Sequence, residues 1–141
     1  MPRYAARRTL PGTVEHVWAV LDDAARLADW WPGIDHVESA VRRAVAPGAL
    51  WQVEGPNRVS LLRRSPQLSG TLLVLDVVPQ RRLAFQLNEA RVDAELELET
   101  NEEGQAAATL FVEAPRFSGV GRAFPSLALA QLAALVRPRT G

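Results

Sequence analysis

The stretch "RLADWWPGIDHVE", residues 26–38, marks the point where the chain changes from a helical to an extended pattern. Leu27, Trp30 and Trp31 follow the i, i+3, i+4 spacing of one helix face. The proline that comes next disfavours helical backbone at the second tryptophan, and the glycine after it permits a turn. We therefore expect a short helix that ends at the paired tryptophans and a chain reversal into a strand.

The chain before this stretch predicts one strand and one longer helix. Residues 4–10 are predicted to form a first strand, and a Pro-Gly pair ends it. Thr13 is a good N-cap residue, and Asp23 is placed to cap the second, short helix. One apolar face of the first helix is formed by Val14, Val17, Trp18 and Leu21.

The chain after it predicts strands for about eighty residues, separated by turn signals rich in glycine and proline. The predicted strands cover residues 34–45, 49–62, 70–78, 82–88, 91–100 and 105–113. In "VDAELELE", residues 92–99, apolar and acidic side chains alternate strictly. Such alternation is typical of an antiparallel strand with one buried and one wet face. We interpret the acidic face as solvated rather than as a metal site.

The C-terminal segment returns to a helical pattern. "PSLALAQLAALV" begins at Pro125 or Ser126, and Pro138 lies just beyond its end. Between residues 127 and 136 only Gln131 is polar, so this helix should be buried on more than one side. The order of elements indicates an α+β fold.

Composition excludes several function classes. The 141 residues, 48% of them hydrophobic, predict a single domain over 1–141. A net charge of zero, from 16 basic and 16 acidic residues, gives no electrostatic case for nucleic acid. Without lysine or cysteine the chain has no Schiff-base amine, thiol nucleophile or thiolate metal site. No cofactor motif and no apolar run of membrane-spanning length is present, so we expect no cofactor, no membrane insertion and a cytoplasmic protein.

In sequence, the chain resembles the START-like superfamily, also called SRPBCC, and within it the polyketide cyclase/dehydrase branch. The resemblance rests on "TVEHVWAVLDD" followed by "RLADWWPGIDHVE", on a G-x-x-W strand entry at Gly48 and Trp51, and on the strand–Pro–strand corner "DVVPQRRLAF". It implies a helix-grip fold, in which a curved antiparallel sheet wraps around a C-terminal helix, with two short helices after the first strand. It also implies an apolar cavity between the sheet and that helix.

The resemblance implies that this cavity binds a small hydrophobic or aromatic molecule, such as a lipid, a polyketide or an isoprenoid-like compound. The alternative is an enzyme of the polyketide cyclase or dehydratase type that acts on a ligand folded in the same cavity. The apolar positions that we expect to line the cavity are Trp31, Trp51, Val53, Phe85, Leu87, Leu96, Leu129 and Leu132.

Polar candidates are few. Neighbours on a strand point to opposite faces, so one arginine of each pair at 42–43 and 63–64 should point inward. We expect Arg43 or Arg63 to anchor an acidic ligand, the alternative being strand ends with the guanidinium groups in water. His16 and His36 lie in polar surroundings without convergent partners, and Arg82 is assigned to a solvated turn. The sequence therefore indicates no catalytic residue.

One strand is apolar on both faces. "TLLVLDVV", residues 71–78, carries leucine or valine at both parities, whereas a strand of a one-sided sheet should alternate. Either a short helix or a second subunit should cover its second face, and a second subunit would make the protein a homodimer.

Overall fold

The computed structural model describes residues 2–23, 26–34, 36–38, 47–54, 70–115 and 120–136. These form one seven-stranded antiparallel sheet in the order β1-β7-β6-β5-β4-β3-β2 and three helices. The elements in chain order are β1 (Arg3–Thr9), α1 (Val14–Leu21), α2 (Leu27–Trp30), β2 (His36–Glu38), β3 (Leu50–Glu54), β4 (Gly70–Val78), β5 (Arg82–Leu87), β6 (Val92–Thr100), β7 (Ala106–Glu113) and α3 (Phe124–Val136).

The curved sheet and the C-terminal helix give the α+β helix-grip architecture that the sequence predicts. Strands β2 to β7 follow one another as antiparallel neighbours, and β1 closes the sheet beside β7. Helix α3 packs on β1 and β7 and also contacts α1 and α2. Strand β6 buries alternate side chains, at every apolar position from Val92 to Leu98. The prediction of fold class is confirmed.

The ends of the short elements follow from local chemistry. The hydroxyl of Thr13 accepts a hydrogen bond from the backbone N–H of His16 at 3.3 Å, as expected of an N-cap. Trp31 leaves α2 with an extended backbone, ψ 114°, because the following Pro32 disfavours helix there. Asp23 does not cap α2 as expected: Arg26 occupies the N-cap position, and its side chain makes no capping hydrogen bond.

A β-bulge in β4 changes which residues of this strand share a face. The register with β5 shifts between Val74 and Asp76, so the inward face moves from one parity to the other. Leu72 and Val74 are buried, and beyond the bulge Val77 lies opposite the buried Leu83. Val77 therefore joins Leu72 and Val74 on the inner face, whereas Leu73, Leu75 and Val78 lie on the outer face, so the strand carries apolar residues on both faces as expected.

Helix α3 begins at Phe124, slightly before the predicted start at Pro125 or Ser126. Its buried side includes Leu129 and Leu132, which are both fully buried. Leu127 remains 50% exposed, so the described elements do not cover the whole helix. In the part of the chain that the structure describes, no helix is both long enough and apolar enough to cross a bilayer.

A carboxylate fastens the first residues of β4 to the turn between β5 and β6. Glu89 Oε2 accepts a hydrogen bond from the backbone N–H of Thr71 at 2.6 Å, and Oε1 accepts one from the Thr71 hydroxyl at 3.2 Å. Gly70 beside it has φ +136°, and a Cβ there would collide with the Glu89 side chain. The backbone hydrogen bond from Thr71 is the main reason that the pKa of Glu89 lies below its ordinary value.

We expect Glu89→Gln to lower the melting temperature at neutral pH. Because the folded-state pKa of Glu89 is lowered, its stabilising effect is present above the unfolded pKa and disappears as the pH falls through the folded value. The difference between wild type and variant should therefore shrink as the pH drops below about 4.3, the ordinary pKa of a glutamate. Thermal melts from pH 3 to 8 measure it, with Glu102→Gln in an exposed turn as control; a difference independent of pH would contradict the assignment.

Candidate functional site

An apolar cavity lies beneath α2, between the two short helices and the β2–β5 half of the sheet. Its wall combines two tryptophans, one phenylalanine and aliphatic side chains. The lining residues are Leu21, Asp23, Leu27, Trp30, Val37, Trp51, Leu72, Val74, Leu83 and Phe85. Asp23, at the end of α1, is the one acidic side chain among them.

The cavity is small in this structure. A water-sized sphere can occupy about 20 Å³ of it, within about 360 Å³ of void that includes open solvent at the mouth. A space of this size holds about one water molecule, whereas sites for drug-sized ligands have several hundred cubic ångströms. A ligand larger than a water molecule therefore needs the walls to move.

The cavity was expected between the sheet and α3, and among the described residues it lies instead between the sheet and α2. Side chains of α3 are buried there: Leu129 and Leu132 are fully buried, and Phe124 is 5% exposed. None of these three lines the cavity beneath α2, so a cavity between the sheet and α3 stays a prediction.

Trp31 lies at the centre of an aromatic cluster that separates the two regions. Its ring makes edge-to-face contacts with Trp30, Phe85 and Phe124, at centroid distances of 5.5, 5.0 and 5.1 Å. The Trp31 side chain is 1% exposed, and its Nε1 has no hydrogen-bond partner among the described residues. The paired tryptophans thus divide their roles: Trp30 lines the cavity and Trp31 supports the wall from behind.

Two of the residues predicted to line the cavity, Trp51 and Phe85, do line the space found here. Those that are buried in the core without lining it are Trp31, Val53, Leu87, Leu96, Leu129 and Leu132. Whether any of them contacts a ligand stays a prediction. The sequence analysis did not select Trp30 or Leu27, although their helical spacing was visible, because spacing alone does not show which element a helix face covers.

The predicted polar anchors Arg43 and Arg63 lie outside the described residues, as does the side chain of His36. His16 is exposed on α1. Arg82, assigned to a solvated turn, is instead the first residue of β5 and half-buried on the outer sheet face. The sequence did carry a sign of this position: Arg82 has the same parity as Gln86, and their face of β5 lies beside the acidic face of β6.

Arg82 bridges two acidic strands on that outer face. Its Nη1 donates a hydrogen bond to Asp76 Oδ2 at 3.1 Å, and its Nε lies 3.0 Å from Glu95 Oε1. The neighbouring Glu97 has a pKa above its ordinary value, because of partial desolvation first and its contact with Glu95 second. Across the described ranges no three His, Cys, Asp or Glu side chains are grouped to hold a metal ion.

Comparison with solved structures shows where this architecture recurs. Protein CV1439 from Chromobacterium violaceum superposes with a TM-score of 0.63 at 21% identity, over 98% of this chain and 99% of that one. The Aha1 dimer from Colwellia psychrerythraea gives 0.68 at 15% identity, over the whole of both chains. DynU16, a protein of the dynemicin biosynthetic locus, gives 0.60 at 18% identity, over 95% of this chain and 46% of its own.

No protein-family model matches the chain, and no curated protein sequence matches it significantly. At these low identities the structural similarity establishes the fold alone.

We expect Trp30→Ala to enlarge the cavity by the volume of an indole ring. Loss of a buried tryptophan should cost about 3–5 kcal/mol in unfolding free energy. Because the missing volume has the shape of indole, added indole should restore part of that loss, as measured by denaturant unfolding. Trp18→Ala, on α1 and outside the lining, is the control; rescue of both variants alike would show that the effect of indole does not come from this cavity.

Proposed function

We propose that the protein binds a small apolar molecule, of the lipid, polyketide or isoprenoid-like class, in the cavity beneath α2. The observation that carries this proposal is the composition of the wall, in which Trp30, Trp51 and Phe85 surround a space open to solvent at one side. Most of the affinity in such a site comes from burying apolar ligand surface. We place this activity in the cytoplasm.

Helix α2 forms the roof of the cavity, and a ligand can displace it. Helix α2 is only four residues long, has no side-chain cap, and ends at the hydrogen bond from Trp31 N–H to Leu27 C=O at 2.8 Å. A helix this short is unstable by itself, so its position depends on the burial of Leu27 and Trp30. A ligand that replaces these contacts would displace α2 at a modest cost and so create the volume it occupies.

Two further points support the class of ligand. The sequence motifs resemble the polyketide cyclase/dehydrase branch, and the DynU16 structure comes from a protein of the dynemicin biosynthetic locus. An acidic group on the ligand would suit Arg43 or Arg63, whose guanidinium forks match a carboxylate.

Native mass spectrometry of protein purified from its own host tests this proposal. We expect a retained small molecule in wild type and its loss in Val74→Phe, because the larger ring fills the cavity floor. Overpacking of this kind costs about 1–3 kcal/mol, so the variant should still fold.

Leu75→Phe is the matched control. This residue is next in sequence but 49% exposed outside the cavity, so the variant should retain the molecule. Loss from both variants, or no retained molecule in wild type together with no thermal shift by apolar probes, would contradict the proposal.

The second candidate is an enzyme of the cyclase or dehydratase type, and the position of Asp23 supports it. This carboxyl group borders the cavity and could act as a general acid or base. We rank the enzyme second because, within the described lining, one carboxyl group would have to do all the proton transfer. In the same native spectra, two retained species that differ by one water would favour the enzyme.

We also propose that the protein forms a homodimer through an outer patch of the sheet. This outer patch consists of Leu50, Leu73, Leu75 and Val78, and it joins β3 to β4, where Leu50 pairs with Leu73. Leu50 is 58% exposed and Val78 is 40% exposed. A two-fold axis through the patch would bury it against its own copy. The similarly folded Aha1 structure is described as a dimer, which supports this proposal.

Sedimentation at micromolar concentration should show a dimer for wild type and a monomer for Leu75→Arg. The charge would be buried without a partner at the centre of the interface, which strongly disfavours association. Leu127→Arg on α3, equally exposed but outside the patch, should remain dimeric. A wild-type monomer, or dissociation by both variants, would rule out this interface.

A further inference from the structure

The indole N–H of Trp31 is a buried donor that has no hydrogen-bond partner in the described part of the chain. The side chain is 1% exposed, and among the described residues no acceptor lies within hydrogen-bond reach of Nε1. More than nine-tenths of buried polar groups in proteins have a partner, so such an exception calls for a physical reason.

The surroundings of Trp31 prevent the ring from turning its N–H towards water. Trp30, Phe85 and Phe124 hold the ring edge-to-face from three sides, at 5.0 to 5.5 Å between centroids. A phenylalanine in this place would pack against the same rings without leaving a donor unpaired. Packing accounts for the hydrocarbon part of the Trp31 ring and leaves its buried N–H without a structural role.

The ring lies directly behind the cavity wall. Two of its three aromatic neighbours, Trp30 and Phe85, line the cavity, and Trp30 belongs to the roof that a ligand displaces. Movement of the Trp30 ring with α2 would uncover Trp31 to the occupant of the cavity. The remaining lining is almost wholly hydrocarbon, so a donor at this place would fix the orientation of a ligand.

We infer that the ligand carries an oxygen acceptor, of the ketone, quinone or ester carbonyl type, which accepts a hydrogen bond from Trp31 Nε1. This inference rests on the proposed function, since it needs an apolar ligand in the cavity. It narrows the class of ligand from any hydrocarbon to an apolar molecule with a carbonyl group.

Fluorene and 9-fluorenone form a matched pair of probes, because they share one rigid shape and differ by a methylene or a carbonyl at one position. Dissociation constants for both are measured with wild type and with Trp31→Phe. We expect the substitution to weaken fluorenone about fivefold to tenfold and to leave fluorene within about twofold, as the net value of one hydrogen bond requires. Trp18→Phe, which removes an indole N–H on α1, should change neither.

A second measurement keeps the inference testable if Trp31→Phe does not fold. In ¹⁵N-tryptophan-labelled wild type the four indole N–H signals are resolved by NMR and assigned through the backbone. The Trp31 indole proton should move downfield with fluorenone and not with fluorene.

The outcomes separate the two proposals. If both probes bind and Trp31→Phe weakens them equally, or the Trp31 signal responds equally to both, the carbonyl inference is wrong and the apolar site stands. If neither probe binds wild type, the apolar site itself is wrong, and the carbonyl inference is overturned with it.

Discussion

The edge-to-face cluster around Trp31 is the contact on which the arrangement of the helices depends. It joins the end of α2 to β5 through Phe85 and to α3 through Phe124. Large aromatic rings bury much area and fix mutual orientation, so this one cluster sets where the short helix lies over the sheet. Pro32 acts in the same direction, because it ends α2 at the residue that the cluster needs in extended conformation.

The sequence predicts the fold well where a single local rule dominates. Alternation in "VDAELELE" gives β6 its correct face, and Pro32 and Thr13 give the helix ends. It fails where the outcome depends on pairing between strands. The bulge after Val74 shifts the inward parity of β4, and no residue type in that stretch requires a bulge.

The candidate site could be predicted only in part, for a related reason. Apolar periodicity identifies residues that are buried, and every predicted cavity residue in the described ranges is indeed buried. Periodicity does not tell a packed core position from a cavity wall, since the two differ by the few ångströms that separate facing elements. Arg82 shows the same limit on the polar side: its ion pairs depend on Asp76 and Glu95, which come from two other strands.

Small side chains explain why the void is on one half of the sheet. Where α3 meets β7 and β1, the facing positions include Ala106, Ala108, Ala128 and Ala133, all buried. Alanines let a helix approach a sheet closely, so α3 packs tightly on this half of the sheet. The β2–β5 half carries larger side chains, such as Trp51 and Phe85, and among the described residues it is covered by α2 and the end of α1. A helix of one turn buries less surface than α3 does, so the described part of the fold is more thinly covered on the half where the cavity lies.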